Sequence, residues 1–149
     1  MGWDMKNIGF FILLVCSLMF ILSLNIISQT KNDGWEEGSK LNKLFSTQKV
    51  DTLTGVIIQS SEVSPIRGMA KGILLLLKTD KDTVSVLLCP TWFTDLLNIK
   101  FKPKDEAVVE GCNAVCSGNH VFIASKLTAN GIILQVRDDK GNPIWDRMR

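Results

Sequence analysis

Two hydrophobic rhythms divide the chain. From Ile8 to Ile27, 20 residues pass without a charge, interrupted only at Gly9, Ser17, Ser23 and Asn25. At about 1.5 Å per residue such a helix spans roughly 30 Å, the thickness of a hydrocarbon core. It has no polar face, which a globular surface helix would show. The pattern predicts a transmembrane helix over residues 8–27 behind a short head, residues 1–7. The run ends Ser-Leu-Asn-Ile-Ile-Ser-Gln, without the small residues that signal peptidase requires. Leu13, Leu14 and Val15 precede Cys16, which does not suit lipidation. An uncleaved signal anchor is therefore expected. The charges flanking it are nearly balanced, Asp4 and Lys6 against Lys31, Asp33, Glu36, Glu37, Lys40 and Lys43. The short head and large following domain favour an N-terminus inside and a C-terminal domain in the periplasm of a cytoplasmic (inner) membrane.

Residues 28–48 read as a polar stalk, with Trp35 suited to a membrane interface and a helical turn through Leu41 to Phe45. From Val50 the period shortens to two. Leu53, Val56, Ile57 and Ile58 mark a strand that Gly55 allows to bend. After a loop with Ser64, Pro65 and Gly68, a second strand runs from Gly72 to Thr79. Asp80, Lys81 and Asp82 turn it into a third, Thr83 to Leu88. Thr91 is placed to cap a short helix with Trp92, Phe93, Leu96 and Leu97 on one face. Beyond Pro103 and Asp105 come strands over Glu106 to Val115 and Val121 to Leu127, joined through Ser117, Gly118 and Asn119. Asn130-Gly131 predicts a hairpin into Ile132, Leu134 and Val136. Three strands, a helix and two strands is the order of an OB-fold barrel. The fold class expected for residues 49–149 is all-β, an OB-fold-like barrel of five or six strands. The helix would plug one end with Trp92, Phe93 and Leu96. An immunoglobulin-like sandwich is the competing architecture, with more strands and no such helix.

The segments Leu53-Thr54-Gly55-Val56-Ile57, Gly72-Ile73-Leu74-Leu75, Cys89-Pro90-Thr91-Trp92 and Val109-Glu110-Gly111 resemble a family of small bacterial envelope OB-fold domains. The likeness continues through Ile123-Ala124, Leu134-Gln135-Val136-Arg137-Asp138 and Gly141-Asn142-Pro143-Ile144-Trp145. Such domains occur in magnetosome-associated membrane proteins and in periplasmic stress-type proteins. The resemblance covers about residues 50–145 and departs at Cys89, where that family often has Gly. It implies fold and compartment more than function. A more distant resemblance is to cytochrome c maturation haem chaperones, which share the helix-plus-OB layout and a hairpin like Gly118-Asn119-His120. Their haem-binding His-x-x-x-Tyr motif is not matched: Lys126 to Gly131 holds no His, and the chain has no Tyr.

Charge narrows the function classes. Beyond the helix stand 16 basic and 14 acidic residues, too even a balance to favour nucleic-acid binding. Cys112, Cys116 and His120 recur at spacings of four, but along a strand four residues cover about 13 Å, too far to share one ion. Three thiols, Cys89, Cys112 and Cys116, leave a disulfide open if their strands are neighbours. His120 in a polar turn is the sole histidine available to a triad, and no glycine-rich phosphate loop precedes a helix. Trp92 and Phe93 fit core plugging better than a base-stacking platform. Trp145, beside Arg147 and Arg149, either folds back onto the barrel or serves with them as a partner anchor. The expectation is a non-enzymatic, membrane-tethered interaction module without cofactor. It would be held in the bilayer by residues 8–27 and engage envelope or membrane proteins. The alternative is a carrier or sensor of a small ligand, metal or haem.

Overall fold

The computed structural model describes residues 33–148. The expected head 1–7, the span 8–27 and Arg149 lie outside the described residues. No helix among the described residues is long and apolar enough to cross a membrane.

Six strands follow the predicted order: β1 Asp51–Val63, β2 Gly72–Lys78, β3 Thr83–Pro90, β4 Glu106–Cys116, β5 Asn119–Ala129 and β6 Ile132–Gln135. A short helix α1, Thr91–Leu96, separates β3 from β4. Neighbours run β3-β2-β1-β4-β5-β6, and a parallel pairing of Val86 with Phe122 and Leu87 with Ile123 joins β3 to β5. That pairing closes five strands into a ring, with β6 added along β5. The remaining pairings are antiparallel.

Local chemistry explains the ring. β1 is long enough to pair β4 through Asp51–Val56 and β2 through Val56–Val63. Gly55 sits at the changeover, where a Cβ would strike the backbone carbonyl of Lys78. Both two-residue hairpins, Ser117-Gly118 and Asn130-Gly131, have positive φ at each position. That is the backbone of turns whose twist matches the flanking strands. Ile57, Leu75, Leu77, Val86, Val109, Phe122 and Leu127 fill the core.

Several expectations are corrected. Residues 33–48 of the supposed stalk belong to the same compact unit as the strands. Trp35 is fully buried rather than interfacial, and Leu41 is buried with it. The Trp35 indole N–H donates to the Ala70 carbonyl at 2.9 Å, and its ring meets Trp145 edge-on at 5.9 Å. The helix contributes Phe93 to the core, with Trp92 half-buried, whereas Leu96 is 61 % exposed. A six-residue helix makes under two turns, so its one buried stripe ends before Leu96. Thr91 does not cap it: Pro90 holds the cap position and the Thr91 hydroxyl makes no capping bond. Asn119 and His120 belong to β5, opposite Cys116 and Val115, because the turn needs two residues and not three.

Candidate functional site

One cleft of about 350 Å³ opens between the loop after β1 and the β4–β5 hairpin. Its floor comes from β2 and β3. Leu74 and Leu87 pair directly across these strands, so their side chains share a face with Ser85, two residues from Leu87. One wall is Val63, Ser64 and Pro65; the other is Cys116, Asn119, His120 and Val121. The walls are tied together at a single point. The Pro65 carbonyl accepts from the Ser117 hydroxyl at 3.0 Å and from the Cys116 thiol at 3.5 Å. Burial pushes the Cys116 thiol up, against a smaller opposing effect of its hydrogen bond with Ser117, so it stays a neutral donor at neutral pH. Asn119 and His120 are exposed at the rim. Apolar floor and polar rim together are what a small-ligand or side-chain pocket requires.

The residues at spacings of four divide between two places. Cys116 and His120 line this cleft, but Cys112 faces a different neighbourhood, where its sulfur accepts the Ser46 backbone N–H at 3.3 Å. Among the described residues no three His, Cys, Asp or Glu side chains gather to hold a metal ion. Cys89, Cys112 and Cys116 are all buried free thiols. Across β5, Ile123 pairs Leu87 on one side and Cys112 on the other, and Cys89 lies two residues beyond Leu87, so Cys89 and Cys112 are separated by two strand spacings, roughly 10 Å, plus that offset. A disulfide spans less than about 7 Å.

Around Cys112 and Cys89 lies a feature the sequence did not announce. Arg137 is fully buried, its guanidinium 5.0 Å from the Phe45 ring centre and 5.5 Å from that of Trp145. Its Nη1 donates to the Asn42 side-chain oxygen and, at 3.3 Å, to the Gly141 carbonyl. Burial lowers its pKa to about 10, with the two thiols opposing that shift. The hint in sequence is its place directly after a strand-like stretch, Ile132 to Val136, that only Gln135 interrupts.

Burial also pushes the Cys89 thiol well up from its ordinary value of 9.0, opposed by Arg137. The unfolded chain then releases this proton above pH 9 while the folded chain keeps it, so stability is lost as pH rises. From pH 9 to 10 the wild type is expected to lose about 1 kcal/mol relative to Cys89→Ala. Parallel urea titrations check this; a gap that does not change with pH would rule it out.

The expected partner-anchor residues separate. Trp145 is fully buried and its indole N–H donates to the Trp35 carbonyl at 2.9 Å. Of the two courses open to it, Trp145 takes the first and folds back onto the domain. The cause is local: Ile144 N–H returns to the Val136 carbonyl, and Arg137 bridges Pro143. Arg147 remains exposed, in an ion pair with Asp138 at 3.1 Å.

The ring and its cleft define a small, mostly β domain with a grooved face. A sequence model of the MamS/MamX magnetosome protein family matches residues 49–134, and the chain belongs to that family. The match spans the ring and the cleft but stops short of Trp35, Arg137 and Trp145. No curated protein matches the chain.

Proposed function

We propose that this chain is a non-enzymatic, membrane-tethered interaction module serving a magnetosome-associated membrane protein assembly. In this reading residues 8–27 span the cytoplasmic membrane and the ring is an OB-fold barrel facing the periplasm. The ring order β1-β2-β3-β5-β4, with α1 between β3 and β4, supports the OB-fold assignment. The uncharged run from Ile8 to Ile27 supports the anchor. The observation that carries the functional reading is the cleft: an apolar floor of Leu74 and Leu87 under a polar rim. Such a groove accepts a side chain or a short extended segment from another protein.

A photo-crosslinking residue replacing Asn119 in the full chain, in cells, tests this. Asn119 is expected to give adducts with a membrane protein, and the same residue at Lys81, on the β2–β3 turn, none. Equal labelling at both positions would dismiss the cleft as the contact. A stoichiometric small molecule, metal or haem retained through purification would favour the carrier reading instead.

A further inference from the structure

A second cleft, of about 430 Å³, lies between residues 34–43 and the loop after β1. Lys40, Lys43 and Arg67 line it, all exposed and none in an ion pair among the described residues. Its single acid, Glu36, already accepts the Gly34 backbone N–H at 2.9 Å. The walls are fixed to each other. Ala70 N–H donates to the Asp33 carbonyl at 2.9 Å, and the Trp35 indole donates to the Ala70 carbonyl. Lys40 and Lys43 are three residues apart on one turn, in which the Lys43 N–H reaches the Ser39 carbonyl. Three cations held around one concavity, in a chain of net charge only +2, concentrate positive potential at this point.

We propose that this cleft binds the phosphate groups of anionic lipid headgroups and so fixes the domain's orientation over its own membrane. The inference rests on the anchor reading above. Charge complementarity selects a phosphate-bearing ligand, and chain reach selects lipid over soluble phosphate. Asp33 follows Ile27, the last residue of the apolar run, by six positions, which span at most about 20 Å. A tether of this reach lets the cations come within a Debye length of the leaflet, where each adds about fivefold to binding, of the order of a hundredfold for three.

The test uses the full chain and a Lys40→Gln/Lys43→Gln/Arg67→Gln variant, each reconstituted with vesicles of phosphatidylcholine alone or mixed with phosphatidylglycerol. Flotation with neutral vesicles reports the anchor by itself. Hydrogen exchange of amides in residues 34–43 and 66–69 reports the cleft. Slowed exchange on mixed vesicles, absent on neutral ones and lost in the variant, is the expected result. Slowing that inorganic phosphate reproduces on neutral vesicles would make this a soluble-anion site and overturn the lipid assignment. No slowing on mixed vesicles, or equal slowing in the variant, would overturn it outright. A wild-type chain that floats only with mixed vesicles, while the variant floats with neither, would keep the cleft and refute the anchor. Failure of the wild type to float with either vesicle would refute both.

Discussion

Replacing Trp35 by Ala is expected to destabilise the domain by about 3 to 5 kcal/mol, the range for deleting a fully buried aromatic side chain. Trp35 has no exposed surface and joins segments far apart in sequence. Its indole N–H bonds to the Ala70 carbonyl, which truncation would strip of that donor inside the protein. Its carbonyl accepts from the Trp145 indole at 2.9 Å and the Asn42 amide at 2.8 Å. The edge-on contact with Trp145 adds roughly 0.5 to 1.5 kcal/mol beyond area burial. Gly72 is shaped for this ring: a Cβ there would lie inside van der Waals contact of Trp35. Against a total stability of about 5 to 15 kcal/mol the loss is large, and a melting temperature lower by about 10 to 20 °C should accompany it. The same reasoning predicts that a fragment starting at Val50 fails to fold, although it contains nearly all of the family-matched segment. Thermal melts of the full chain in detergent decide the matter. A shift of a degree or two would return Trp35 to the role of a linker residue.

The contrast between Trp35 and the strands shows which information a sequence displays. The ring was legible because its signals are local. Left-handed backbone at Asn130-Gly131 demands Asn and Gly, and the alternation of Thr83 and Ser85 with Val84 and Val86 marks β3 as a strand, although both of its faces are buried from Val86 onward. Gly55 was legible for the same reason, as an interruption in an otherwise continuous strand. Trp35 was not, because its partners lie 35 and 110 residues away and an irregular segment carries no period. The cleft was half legible. Leu74 and Leu87 read as apolar, but their pairing and the wall of Cys116, Asn119 and Val121 follow from strand register. A two-residue turn where a three-residue one was expected moved His120 from the hairpin tip into β5. Arg137 was hidden by a sound rule, since Arg is almost never fully buried unless paired.

Arg137 breaks that rule, and the balance of terms predicts an unusual mutational result: Arg137→Met should be at least as stable as the wild type. No carboxylate pairs with the guanidinium among the described residues, and its Nε and Nη2 have no protein acceptor there. Each orphaned donor costs about 1 to 3 kcal/mol, and taking the ion out of water costs several more. The pKa, depressed to about 10 from the ordinary guanidinium range, corresponds to roughly 3 kcal/mol of disfavoured charge. Its sign is opposite to that of Cys89. Above about pH 10 the folded state releases this proton while the unfolded state still holds it, so this group makes the fold more stable as pH rises. Two gains offset the cost: a charge-assisted bond to Asn42 of about 1.5 to 3 kcal/mol, and stacking on Phe45 and Trp145 of up to about 2 kcal/mol each. Methionine keeps the apolar stem against both rings and fills irregular space, so it removes the cost while retaining much of the packing. Arg137→Ala removes the stem as well and is expected to lose about 2 to 4 kcal/mol through the cavity. Urea denaturation of the two variants separates the terms. If Arg137→Met falls as far as Arg137→Ala, the guanidinium's bonds to Asn42 and Gly141 outweigh its desolvation. The charge would then be what clasps the residues before β1 to those after β6.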